Sequence, residues 1–242
     1  MPLPPLKDQF DALLRLPSIS CTQADLDQSN LPVVELLASW LNDLGFECRI
    51  LPIANQPGKA NLLASFGSGP GGLVMAGHTD TVPCNPERWQ HDPFALTEAN
   101  NRWYGLGSCD MKGFFPLIIE AVRSYLNQPF KHPLIILATA DEESSMSGAR
   151  ALVAADFSQA RHAIIGEPTG MRPIRLHKGI MMERIDIIGQ AGHSSDPGLG
   201  HNAMEAMHAV ISDLLQLRGS WQKRWSNPLF GVPTPTLNLG CI

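Results

Sequence analysis

The 242-residue sequence predicts an α/β fold, a mostly parallel mixed sheet flanked by helices, with a partial α+β unit following it. Two observations lead there. Up to residue 167, short apolar runs bounded by Gly, Pro or Asn alternate with stretches of helical periodicity, and strands separated by helices imply a largely parallel sheet with helices on its faces. After Gly179 a strand, helix, strand order restarts, which divides the chain into residues 1–178 and 179–242.

The elements follow in order. Leu3, Leu6, Phe10, Leu13 and Leu14 recur at helical spacing over residues 3–16. A second helix runs from an Asn30 cap through Val33, Leu36, Leu37, Trp40 and Leu41 to Gly45. The apolar runs 46–53, 60–66 and 73–77 read as strands. A helix beginning near Gly113 precedes a strand at 134–140, a helix at 147–155 and a strand at 163–166. The second unit reads as a strand at 182–189, a helix over about 202–217 and a strand at 236–242 after a Pro-rich loop.

Composition narrows the function. With 18 basic and 23 acidic residues mixed along the chain, no basic patch invites nucleic acid or an anionic membrane, so a small-molecule or peptide substrate is expected. Five cysteines without a C-x-x-C pair argue against a disulfide framework or a thiolate zinc site, and point to a reducing, cytoplasmic compartment. The start MPLPPLKDQF lacks a signal-peptide pattern and no apolar run is long enough for a membrane span, so a soluble protein is expected.

Three apolar strands end in polar groups able to bind metal: LVMAG runs into His78, LIILATA into Asp141, Glu142 and Glu143, and AIIG into Glu167. Ligands of open α/β sheets bind at the carboxyl ends of strands, so these groups converge at one edge. In His78-Thr79-Asp80, residues two apart share a side of an extended backbone, which suits a ligand and the acid that orients it; a polar strand end before a turn is the alternative. Gly105 and Gly107 in YGLGSCDMKG deliver Asp110 to a place where it bridges two cations or, alternatively, caps the following helix. Three consecutive acids after a buried strand need a cation or a retained proton, unless they are the solvated start of a helix. Adjacent carboxylates diverge, so one can ligate while its neighbour holds a water.

Competing motifs fail on context. The G-x-G-x-x-G match at 67–72 precedes a strand rather than a helix and is a turn. No G-x-S-x-G, P-loop or H-E-x-x-H pattern occurs, and His162, His201 and His208 read as surface or core residues.

GHTDTVP (77–83), YGLGSCDMKG (104–113), ATADEESSMSGAR (138–150) and IIGEPT (164–169) resemble, in that order, the M20 metallopeptidases. The flanking LDQSN, RLHKG, GQAGHSSDP and PTLNLG are similar to the branch that hydrolyses N-acetyl-L-ornithine to acetate and ornithine in arginine biosynthesis, with desuccinylase and aminoacylase branches as alternatives. The resemblance implies a zinc-dependent exopeptidase-like catalytic domain and a lid through which two copies form a homodimer. It makes His78 and Glu167 ligands of one Zn2+, Glu143 a ligand of a second, and Asp110 the bridge. Co2+ or Mn2+ are possible substitutes. It further implies that Asp80 orients His78, that Glu142 is the general base acting on a metal-activated water, that the Asp110-Met111 peptide is cis, and that His193 contributes from the partner subunit. Members of the family continue past the equivalent of Ile242 and supply a further metal-binding histidine there. The chain therefore reads as C-terminally truncated with an incomplete second site, and an impaired metal-binding fragment is the competing expectation.

Overall fold

A computed structural model describes residues 3–152 and 160–240. It contains two compact units, Met1–Met171 and Arg172–Ile242. In the first, helices α1 (Leu6–Leu14) and α2 (Leu31–Asp43) precede strands β1 (Glu47–Pro52), β2 (Ala60–Phe66) and β3 (Gly72–His78). A short hairpin, β4 (Thr97–Ala99) and β5 (Arg102–Tyr104), leads to α3 (Phe114–Arg123), β6 (Leu134–Thr139), α4 (Ser147–Leu152) and β7 (Ala160–Ile165). The last three residues of the helix expected at 147–155 lie outside the described residues.

The central sheet has the order β1-β2-β6-β3-β7 and is mixed. β6, β3 and β7 are parallel, whereas β1 and β2 pair antiparallel, as do β2 and β6. This arrangement brings two kinds of strand end to one edge. His78 sits opposite Thr139, so the carboxyl ends of β3 and β6 coincide, and Leu62 opposite Ala138 brings the amino end of β2 to the same place.

One face of the sheet carries the core. Leu62 and Ala64 of β2 and Leu134, Ile136 and Ala138 of β6 alternate along their strands, as a half-buried face requires. They cluster with Leu13 of α1, Val33, Val34, Leu37 and Leu41 of α2, and Phe115, Ile118 and Ile119 of α3. Fully burying each Val, Leu, Ile or Phe among them contributes about 1.5–3 kcal/mol. Asn30 stands at the start of α2, but its side chain caps nothing. It accepts from Ala60 N (2.9 Å) and donates to Ala60 O (2.8 Å) and Thr79 Oγ1 (2.7 Å), tying the helix to β2 and to the loop after β3.

The second unit is built around α5 (Ala203–Arg224), which runs past the expected end near residue 217. Asn202 caps it, its side chain accepting from Met204 N at 2.9 Å. The strand expected at 182–189 does not form, nor does one over 236–240; residues 241–242 lie outside the described residues. Apolar alternation supplies a strand with a face but not with a hydrogen-bonding partner, and here Met182 and Ile188 are exposed. The one pairing described in this region is an isolated bridge between Gln190 and His201.

Ile136 is 1% exposed at the centre of the core, so Ile136→Ala will lower unfolding free energy by about 2–5 kcal/mol in urea titration. Ile50→Ala, at a 38% exposed position on the edge strand β1, will cost less than about 1 kcal/mol.

Candidate metal centre

His78 ends β3 with its imidazole 1% exposed. Its Nδ1 lies 2.9 Å from the carbonyl oxygen of Asp80, which can only accept, so Nδ1 carries a proton and Nε2 is left to face the centre. Nε2 is 3.3 Å from Asp110 Oδ1 and 3.9 Å from both Glu142 Oε2 and Glu167 Oε1. Two sets of donor atoms, His78-Asp110-Glu143 and His78-Glu142-Glu167, each lie within 4.8 Å of one another.

Asp80 links the two halves. It is fully buried; Oδ2 accepts from Glu143 N at 3.0 Å, while Oδ1 is 3.6 Å from His78 Nδ1 and has no hydrogen-bond partner among the described residues. The nearer contact to the ring is therefore the backbone carbonyl of Asp80 rather than its carboxylate.

Asp110 arrives on the 104–113 loop, with its side chain half exposed. Gly107 has φ +85°, the left-handed region that favours glycine, whereas Gly105 answers to space: a Cβ there would lie 2.4 Å from Leu14 Cδ1. Gly113 stands at the start of α3, and no side chain caps that helix, so Asp110 is free of the capping role that its position in sequence allowed. The Asp110-Met111 peptide bond is cis. Next in the chain, the buried Lys112 donates to Leu13 O (3.0 Å) and Leu16 O (3.1 Å), supplying the carbonyls at the end of α1 with a cation. Burial pushes its ammonium down to about 8.

The three acids after β6 do not act alike. Asp141, with φ +55°, is buried and turned to Lys59, Ser20 and Ser147, while Glu142 and Glu143 reach the centre. Glu167 follows Gly166, whose N–H donates to Ala76 O at 3.1 Å and where a Cβ would lie 2.3 Å from the ring of Phe114.

Charge at the centre is unbalanced. Asp80, Asp110, Glu142, Glu143 and Glu167 surround one imidazole, and the ammonium of Lys59 is taken by Asp141 and Asp27. Burial opposes a charged His78, but the Asp80 carboxylate, with Glu142 and Glu167, overrides it and raises the imidazole to about 9. Burial, with repulsion from Asp110, Glu142 and Asp80 outweighing the opposite pull of His78, raises Glu143 to about 7. Glu167 is raised by burial and by Asp110 and Glu142. An imidazole nitrogen and carboxylate oxygens this close, with surplus negative charge, fit a divalent cation.

His193 belongs to the second unit. Its Nδ1 lies 2.7 Å from Ser195 Oγ and accepts from Ser195 N at 3.2 Å. It lines a hollow of about 460 Å³ with Gln190, His201 and Asn202. Lys59, Ser20, Ser147 and Lys112 were not singled out from the sequence. Lys59 stands alone before an apolar run, and no spacing pattern marks it.

The family model described as "Peptidase family M20/M25/M40" matches residues 74–222. The acetylornithine deacetylase of Pectobacterium carotovorum subsp. carotovorum (strain PC1) is 51% identical over 242 residues, covering 100% of this chain and 63% of that protein. The acetylornithine deacetylase of Salmonella arizonae (strain ATCC BAA-731 / CDC346-86 / RSK2980) is 52% identical over 240 residues, covering 99% and 63%. The chain thus spans less than two thirds of the length of these curated relatives. Among solved structures, human carnosine dipeptidase 1 superposes with a TM-score of 0.57 at 23% identity over 66% of this chain and 38% of that one, a likeness of fold.

The raised groups set a pH dependence. A proton held by His78 up to about 9, against an ordinary 6.5, stabilises the metal-free fold fully below pH 6.5 and is lost as pH rises through 9. One held by Glu143 up to about 7, against 4.5, is lost as pH rises through 7. The chelator-treated protein will therefore lose melting temperature steadily between about pH 5 and 9. Added Zn2+ will raise it more at pH 8 than at pH 6, because cation binding must displace those protons.

Proposed function

Because the chain belongs to peptidase family M20/M25/M40, we propose that it is the metal-binding part of an amidohydrolase that converts N-acetyl-L-ornithine to acetate and L-ornithine, a step of arginine biosynthesis. The observation that carries this reading is the convergence of Asp110, Glu142 and Glu167 on the Nε2 side of one buried imidazole, with Glu143 in the same cluster of donors. Identity near one half along the whole chain to proteins named acetylornithine deacetylase supports the substrate.

In this reading His78 and Glu167 would hold one zinc ion, Glu143 a second, and Asp110 would serve both, with cobalt or manganese as substitutes. A bound cation supplies Lewis acidity and lowers the pKa of water at the site. Asp80 keeps the His78 ring oriented through the Nδ1 contact and holds Glu143 through its backbone N–H. Glu142, with its side chain 37% exposed beside the donors, takes a proton from the attacking water at a carboxylate oxygen and returns it to the leaving amine nitrogen. Residues 1–178 form the catalytic portion and 179–242 part of a lid through which two copies form a homodimer, the partner contributing its equivalent of His193 to the carbonyl oxygen. A cytoplasmic setting agrees with free thiols at Cys21, Cys48, Cys84 and Cys109. Among the described residues no helix is long and apolar enough to cross a membrane.

Metal content and acetate release from N-acetyl-L-ornithine, measured together, test the reading. Zinc will co-purify or rebind, chelation will abolish release, and Glu142→Ala will cut release at least about 100-fold while leaving metal content intact. Acetate release by metal-free protein would sink the assignment. Zinc binding without release from the unmodified chain would limit these residues to metal binding, and release only from N-succinyl or other N-acyl amino acids would move the assignment to a desuccinylase or aminoacylase.

A further inference from the structure

A buried ion pair stands directly behind the acidic turn. Antiparallel pairing of β2 with β6 brings Lys59 to the carboxyl end of β6, where the residue is 5% exposed. Its ammonium donates to Asp141 Oδ1 at 2.7 Å and to Asp27 Oδ1 at 2.8 Å. Asp141, 4% exposed, also accepts from Ser20 Oγ (3.0 Å) on Oδ1 and from Ser147 Oγ (2.8 Å) on Oδ2, and its backbone oxygen accepts from Met146 N (2.7 Å). Both carboxylate oxygens are thus occupied by groups outside the donor cluster, and Asp141 contributes no atom to either donor set. Asp141 takes a positive φ at the turn from which Glu142 and Glu143 enter the donor sets.

We propose that Lys59, acting through Asp141, is a positioning residue for the acids of the metal centre: its ammonium holds Asp141 out of the donor cluster and thereby fixes the turn that presents the base Glu142 and the ligand Glu143. The proposal rests on the metal-centre reading above. Without the ammonium, Asp141 becomes an uncompensated buried carboxylate adjoining two others, and relief comes by rotating the turn toward water or toward the cation. Either movement displaces Glu143, whose backbone N–H is otherwise held by Asp80 at 3.0 Å.

The test is Co2+ titration of the full chain by visible absorption, with circular dichroism and melting on the same samples. The variants are Lys59→Met, Asp141→Asn, the double variant, and Lys7→Met as a control that removes a lysine from the surface pair with Glu98. Lys59→Met and Asp141→Asn, folded at the titration temperature, will bind Co2+ at least tenfold more weakly with altered bands. The double variant will be no worse than the weaker single one because the two residues act as one unit, and Lys7→Met will match the unmodified chain. A folded Lys59→Met protein with unchanged Co2+ affinity and spectrum, merely melting lower, overturns the proposal. If Lys59→Met does not fold, Lys59→Gln and Asp141→Asn, which retain hydrogen-bonding groups, decide by the same criterion. Failure of the unmodified chain to bind Co2+ is a separate outcome that removes the metal-centre reading itself.

Discussion

The mutual repulsion of acids gathered around the buried imidazole of His78 is the constraint to which the rest of the first unit answers. Carboxylates this close do not stay together unless a cation joins them, a proton remains, or the backbone holds them in place. The structure uses the last two directly. Glu143 and His78 retain protons well above their ordinary range, and each acid-bearing loop is pinned by hydrogen bonds that leave its side chain facing the centre. The surplus charge is then a standing demand for a divalent ion.

The pins come from elements far apart in sequence. Asp80 joins the loop after β3 to the turn after β6, and Asn61 on β2 accepts from Ala140 N and donates to Gly148 O, bracketing that turn from the other side. Gly148 has no space for a side chain, since a Cβ would lie 2.5 Å from backbone atoms of Ala140. Lys112 fastens the loop carrying Asp110 to the end of α1. Beneath these contacts the apolar face of β2 and β6, packed on α2 and α3, supplies the rigid base from which the loops project. Position is thus set by packing, and charge is left to the chemistry.

The acids after β6 show how close neighbours can divide work. Asp141, Glu142 and Glu143 are alike in composition, yet the first is a buried structural anion neutralised by Lys59 and the next two face the centre. A carboxylate that is fully hydrogen-bonded is removed from competition for a cation, so Asp141 adds to the order of the site without adding to its donor set.

Local pattern was enough to find the strands at 60–66 and 73–77, the helices around 31–43 and 114–123, and the polar residues at the ends of β3, β6 and β7 that the fold gathers, because apolar periodicity and a polar residue at a strand end are properties of contiguous segments. It was also enough to reach the family, since the four ordered motifs carry their own spacing. The strand expected at 182–189 shows the limit: alternation specifies a face, and only a partner makes a ladder. The split between Asp141 and its two neighbours, the backbone contact from Asp80 to His78, and the arrival of Lys59 behind the acidic turn were decided by tertiary structure alone. Each depends on the strand order β1-β2-β6-β3-β7 and on β2 running against β6. Strand order and direction arise from long-range pairing between segments about 70 residues apart, which no local pattern encodes.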